Sequence, residues 1–412
     1  MNFQNSDAES SSNQESPNRR LASLAALFLK LGAITFGGPA AAVALIEDEV
    51  VRKRQWVTRQ QFLDMMGLTN VIPGPNSTEL AIYVGFTRAR WVGLAVAGAS
   101  FIMPAALITI AAAWAYTRFG TLPRAEAALA GVKPAVIAII AIAIWRLARA
   151  AVRDVRLGAL GTLAIVAFLL KLNPLLILIV GGLIGTLVRQ ARDLPASLSL
   201  STLVFGAIAK TSLLVSALFQ PFVVASLGYG AGDSVAKRVP LARLWWFFLK
   251  VGAVLYGGGY VLFAFVEEGL VRNHHWLTER QVLDAIAIGQ LTPGPILSTA
   301  TFIGYVLGGT WGAVVATVAI FLPSFFYVAA LGPILPILRR SAWVGAFLDS
   351  VNVCAVGLMA GVTVRLAYDA LHSWSMWLIA ITSLAVLWKY KINPAWVVLG
   401  GGVAGFLIAS AR

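Results

Sequence analysis

Long apolar runs dominate this chain, at 91–116, 128–145, 157–188 and 393–410. A helix crosses the hydrocarbon of a bilayer with about 20 mostly apolar residues. Charged residues make up only 12% of the sequence and hydrophobic ones 59%, against about 25% charged in a soluble domain. So little polar surface cannot coat a water-soluble globule, and a mean hydropathy of +0.81 agrees. The expectation is an all-α polytopic membrane protein whose partner is the lipid bilayer. A β-barrel is excluded, because its strands would alternate apolar and polar residues with period two.

The second constraint is an internal repeat. FLKLGAITFGG (28–38) returns as FLKVGAVLYGG (248–258), and KLNP (171–174) as KINP (391–394). Between them Glu47 matches Glu267, Arg52 matches Arg272, Trp56 matches Trp276 and Asp64 matches Asp284. Between a shared Pro-Gly-Pro and about residue 130 the offset falls by one, so Gly85 pairs with Gly304 and Pro104 with Pro323. Two homologous halves are therefore expected at 21–190 and 241–412, joined by 191–240. Residues 1–20 are polar and without periodicity, and read as a disordered tail with no signal-peptide core.

Loop charge predicts how the halves are oriented. FTRARW (86–91) has two arginines and its counterpart YVLGGTW (305–311) none; WRLARAAVRDVR (145–156) has four and RLAYDALHSW (365–374) one. Elsewhere the bias reverses: Lys171 stands alone against Lys389 and Lys391, and Arg118 and Arg124, offset by Glu126, face Arg339 and Arg340. Basic loops of one half are neutral loops of the other, which is the pattern of inverted topology. Six spans per half and one in the linker, over 200–227, give about thirteen. The positive segment 233–243 sits awkwardly in that scheme, lying outside. Inverted repeats are characteristic of transporters, in which two similar halves exchange conformations around a central site.

Each half also carries a helix breaker. Pro73-Gly74-Pro75 and Pro293-Gly294-Pro295 interrupt matching apolar segments. Broken backbone in lipid leaves polar groups unpaired, so such breaks face protein or a watery cavity. A helix restarting after the break offers free amides and a positive dipole end, which suits an anion. Pro75 and Pro295 are expected in the first turn of those restarted helices. The candidate binding groups around the breaks are Asn70, Asn76, Ser77 and Thr78 in the first half. In the second they are Gln290, Thr292, Ser298, Thr299 and Thr301. The alternative is a plain turn, with the hydroxyls bonding backbone in helix packing.

Other residues carry two readings each. Lys30 and Lys250 are equivalent cations inside apolar sequence; they contact substrate, or snorkel to the interface. Glu79, just past the first break and matched by Thr299, carries a coupling proton or pairs with an arginine. Gly37, Gly38, Gly257 and Gly258 suggest close packing, gating or a second helix break. Asp64 and Asp284 read as helix-end residues beside charged loops. The segments 47–64 and 267–284 are amphipathic and Trp-bearing, interfacial helices or an anion-collecting vestibule.

Several functions are excluded or disfavoured. The net charge of +14 reflects basic cytoplasmic loops or an anion-favouring cavity, not nucleic-acid binding, for which a basic soluble domain is missing. Cys354 is the sole cysteine, so there is no intramolecular disulfide or Cys-based metal cage, and the adjacent His274 and His275 diverge on a helix. No phosphate-binding loop is present. Neither an enzyme nor a metal or other cofactor is expected; transport would draw on an ion gradient or potential.

FGGPAAAVALIEDEVV followed by QWVTRQQFLDMMGLTNVIPGPNSTELAIYVGF, and its second copy GGGYVLFAFVEEGLV with WLTERQVLDAIAIGQLTPGPILSTATFIGY, resemble the signature region of the chromate ion transporter (CHR) family. The resemblance runs from about Leu21 onward and looks like the long, two-domain bacterial form. It implies export of chromate across the bacterial inner (cytoplasmic) membrane, driven by membrane potential or proton gradient, and chromate resistance. Chromate is a tetrahedral dianion like sulfate, so a sulfate or other oxyanion carrier is the alternative, and an uncoupled anion channel a further one. Oligomeric state is left open. Pro39 against Gly259 and Glu79 against Thr299 break the symmetry, and the more polar break makes the first half the better candidate for substrate contact.

Overall fold

The structure is a computed structural model that describes residues 16–36, 38–69, 72–120, 122–190, 239–256, 259–331, 341–390 and 392–410. The candidate residues Gly37, Asn70, Gly257 and Gly258, the linker over 191–238, the tail before residue 16 and Arg339 and Arg340 lie outside them.

The first half consists of α1 (Pro17–Ile34), α2 (Pro39–Glu47) running into a π turn (Asp48–Lys53), α3 (Arg59–Thr69), α4 (Asn76–Phe119), α5 (Pro123–Ala151), α6 (Val155–Leu169) and α7 (Pro174–Gln190). The second repeats the plan. It has α8 (Leu241–Val254), α9 (Leu262–Val266) with its π turn (Glu267–Asn273), α10 (Glu279–Leu291), α11 (Thr299–Leu331), α12 (Ala342–Ala370), α13 (Trp374–Tyr390) and α14 (Pro394–Ser410). No strand occurs among the described residues. Among the described residues four helices, α4, α5, α11 and α12, are long and apolar enough to cross a membrane.

Helix boundaries follow the local chemistry. α1 starts at Pro17, inside the expected tail, because proline suits the first helical position, where its missing amide costs nothing. The first apolar stretch of this half, from Leu21 to Ile46, is two helices. Gly38 at φ +82° and Pro39 at the first helical position end one and start the next. The π turns fall at the same place in both halves and widen the helix ahead of Trp56 and Trp276.

α4 and α11 are hairpins rather than straight rods. α4 turns at Ala89 and Arg90, the latter at φ +52°, and α11 at Gly309, φ +67°. The arms then lie side by side. Thr301 Oγ1 is 2.8 Å from Thr317 Oγ1, although sixteen residues of straight helix would separate them by about 24 Å. The turn at Ala89–Arg90 falls within the basic segment FTRARW (86–91).

Packing interlocks the halves. α1 packs on α4 and α8 on α11, and α4 and α11 meet at the centre. The outer helices cross over: α5 packs against α13 and α14, while α12 packs against α6 and α7. Small residues permit the close approach. A methyl group on Gly131 of α5 would strike the carbonyl of Gly401 of α14.

Candidate functional site

Both Pro-Gly-Pro segments lie where the halves meet. Gly74 sits at φ +146° and Gly294 at φ +97°, backbone that residues with a Cβ rarely adopt. Each glycine faces the opposite half. A Cβ on Gly74 would fall 2.5 Å from Ser324 Oγ, and one on Gly294 would fall 2.8 Å from Ala105 Cβ. Ser324 and Ala105 are equivalent: each follows the proline inside its long hairpin arm, Pro323 or Pro104. The pairing is thus made twice, with opposite chemistry, a hydroxyl on one side and a methyl on the other.

The restarted helices differ from expectation by one position. Pro75 and Pro295 are the capping residues themselves, with extended backbone (ψ 104° and 133°), and the helical turns begin at Asn76 and Ile296. In the second half the chain folds back so sharply that a Cβ on Gly289 would meet Thr299 Oγ1. Thr299 Oγ1 donates to Ile296 O at 2.8 Å.

In the first-half break, Ser77, Thr78 and Glu79 are buried, and Glu79 has no solvent exposure. Its carboxylate oxygens lie against Gly74 beside the Ser324 hydroxyl. Neither carboxylate oxygen, nor Thr78 Oγ1, nor Ser324 Oγ completes a regular hydrogen bond, and no cation pairs with Glu79 among the described residues. Tyr256 and Tyr327 stand nearby, with the Tyr327 hydroxyl donating to Ala253 O at 2.9 Å. Glu79 sits in the first turn of α4, so its carboxylate faces the helix end that an anion would occupy.

In the second-half break, the Gly294 amide donates to Thr35 O of the first half at 2.7 Å. A cavity of about 10 Å³ lies there, bounded by Thr35, Gly38, Gln290, Thr292 and Gly294. That is room for about one water. Gln290 Nε2 and Ser298 Oγ are buried without hydrogen-bond partners. Four residues singled out from sequence, Gly38, Gln290, Thr292 and Gly294, therefore converge on one small polar space.

The two lysines differ. Lys30 Nζ lies 3.1 Å from Glu49 Oε1, in a cluster with Lys53 and Arg54, and over half of its side chain is exposed. Burial raises the Glu49 pKa, but the three cations outweigh it and hold the carboxyl below its ordinary range. Lys250 is half-buried, and the position equivalent to Glu49 is Gly269, so that carboxylate is missing. Trp56 is clamped between Arg54 and Arg88, at 5.0 and 4.8 Å from its ring centroid, so it anchors the protein to itself.

Asp284 corrects the helix-end expectation. It is 1% exposed and receives the Tyr116 hydroxyl of α4 at 2.9 Å, with Lys133 of α5 at 3.8 Å. Its equivalent Asp64 is exposed and bonded only to Gln60. Lys133, a cation inside the apolar run 128–145, was the available signal.

Comparison with known proteins matches this duplicated architecture. The family model described as chromate transporter fits the chain twice, over residues 22–186 and 242–406. This chain belongs to the chromate transporter family. The family is one of membrane transport and not of enzymes. A chromate transport protein of Cupriavidus metallidurans is 30% identical over 95% of this chain and 94% of its own length. One from Pseudomonas aeruginosa is 31% identical over 93% of this chain and 92% of its own. A shorter uncharacterized transporter of Bacillus subtilis is 30% identical over 37% of this chain and 88% of its own. No solved structure matches the chain.

Proposed function

We propose that this protein is a secondary-active transporter that exports chromate across the bacterial inner membrane and confers chromate resistance. The observation that carries the proposal is the meeting of two family repeats at two Pro-Gly-Pro breaks, each lined by buried, unpartnered polar groups. Chromate is a tetrahedral dianion, and such a break offers it backbone amides and hydroxyls in place of water. The proposed contacts are Asn70, Pro73, Gly74, Pro75, Asn76, Ser77 and Thr78, with Lys30, in the first half. Gln290, Pro293, Gly294, Pro295 and Ser298, with Lys250, are their counterparts. Gly37, Gly38, Gly257 and Gly258 form the proposed hinges. The two repeats, 21–190 and 241–412, run in opposite senses through the membrane in about thirteen spans, with 191–240 between them.

Glu79 is the proposed coupling group. An ionised carboxylate at the mouth of the break repels a dianion, and a protonated one can donate to it. Proton and anion then bind together. A dianion leaving with one proton carries one net negative charge outward. The inside-negative potential favours that movement by about 2.3 kcal/mol per charge per 100 mV. Of the two driving forces, the site electrostatics thus favour membrane potential.

Uptake of labelled chromate into energised, everted inner-membrane vesicles tests the function. Accumulation that collapses with the potential supports it. Sulfate that competes as well as chromate itself assigns the site to oxyanions in general. Equilibration without accumulation indicates a channel, and absence of uptake overturns chromate export.

A further inference from the structure

A cleft lies between the last two turns of α5 and the end of α13. Its volume is about 570 Å³. Arg146 and Arg149, one turn apart on α5, line it together with Trp145 and Trp388, and Ile142 and Leu387 close its floor. The two indoles stand 5.6 Å apart, and the Arg149 guanidinium lies 5.7 Å from the centroid of Trp145. Among the described residues, no carboxylate borders the cleft.

The repeat supplies an internal control for Arg146. Arg146-Leu147-Ala148 aligns with Arg365-Leu366-Ala367. Arg365 is neutralised, with Glu267 at 3.1 Å and Glu279 at 3.4 Å. In the first half the position of Glu279 is taken by Arg59, and Arg146 has no ion pair among the described residues. The same arginine is thus compensated by protein carboxylates in one half and turned into an open cleft in the other. Two uncompensated cations in a concave site call for an anion.

We propose that this cleft binds the headgroup of an anionic phospholipid, with the phosphate on Arg146 and Arg149 and the glycerol and upper acyl chains against the indoles and the apolar floor. Basic pockets between membrane helices are suited to such headgroups, and indoles to the interface beside them. A free tetrahedral oxyanion shares the phosphate chemistry but leaves the apolar floor and most of the volume unfilled. The site joins α5 of one half to α13 of the other, so a bound lipid ties the halves together. The proposal stands independently of which anion is transported.

Native mass spectrometry of the full chain in detergent, titrated with phosphatidylglycerol or phosphatidylcholine, tests it. Phosphatidylglycerol should bind more tightly. Arg146→Gln and Arg149→Gln should each weaken that preference about five-fold, the worth of one basic residue near an anionic headgroup. Trp388→Ala should weaken both lipids, and Arg156→Gln, exposed in the first turn of α6, should change neither. Unfolding temperatures of all four confirm that the folds are intact. Undiminished preference in the double arginine variant would overturn the site. Inorganic sulfate that binds Arg146 and Arg149 and displaces phosphatidylglycerol at equal concentration would overturn the lipid assignment in favour of a soluble oxyanion.

Discussion

Glu267 is tied to Arg365 at 3.1 Å, fastening the π turn of the second half to the long helix α12. Arg272 holds the same carboxylate at 3.1 Å and rests over Phe168 of the first half. The equivalent Glu47, Arg52 and Arg146 make no such network among the described residues. Glu267 is fully buried, and removing its charge leaves Arg365 with Glu279 and Arg272 with Glu268. Glu267→Gln should cost about 1.5–3 kcal/mol for the lost charged contacts, and Glu47→Gln under about 1 kcal/mol. Thermal unfolding in detergent measures both, and equal losses would contradict the asymmetry.

The two glycines at the breaks should be intolerant of a methyl group. Gly294→Ala meets both a positive φ and the Ala105 side chain and should cost about 2–4 kcal/mol. Gly74→Ala meets Glu79 and Ser324 and should disturb the site as well as the fold. Ser324→Ala in the Gly74→Ala background should recover part of the stability. No recovery would mean that Glu79 or backbone strain, not Ser324, sets the cost.

Glu79→Gln should leave folded protein in the membrane while abolishing the pH dependence of chromate accumulation. If protons and anions bind together, wild-type uptake into everted vesicles rises as the medium is acidified at constant potential. An unchanged pH profile in the variant would remove Glu79 from coupling.

Glu49 gives a pH dependence of stability with a defined sign. Its carboxyl is held below the ordinary value of 4.5 by Lys30, Lys53 and Arg54. The stabilisation is present above pH 4.5 and is lost as pH falls through the folded-state value. Glu49→Gln should therefore lower stability near neutrality and flatten its decline in acid. A decline in acid as steep as that of the wild type would place the sensitive group elsewhere.

Opposed orientation of the halves is checked by labelling. In a Cys354→Ala background, single cysteines placed in 146–156 and in 366–374 should react with impermeant reagents from opposite faces of the membrane. Reaction from one face would refute inversion.

Much of this was legible in the sequence because periodicity and repetition are local properties. FLKLGAITFGG and FLKVGAVLYGG name the same helix, and Arg90 and Gly309 fall within the paired segments FTRARW and YVLGGTW. Long-range pairing was not legible. Lys133 and Asp284 are 151 residues apart, and nothing local to either says that Tyr116 stands between them. Asp64 and Asp284 look alike in sequence and differ in burial because their surroundings come from the other half. The cation cluster around Lys30 was hidden for the same reason: the π turn, not the amino-acid order, brings Glu49 back to α1.

The crossover of outer helices has a consequence for how the molecule is made. During synthesis α5 enters the bilayer before α13 and α14 exist, and α6 and α7 wait for α12. The first half is a socket without its plug, and its glycine-lined faces are open to lipid until the chain is nearly complete. Expressed alone, residues 21–190 should be prey to quality-control proteolysis, and co-expression of 241–412 as a separate polypeptide should rescue them.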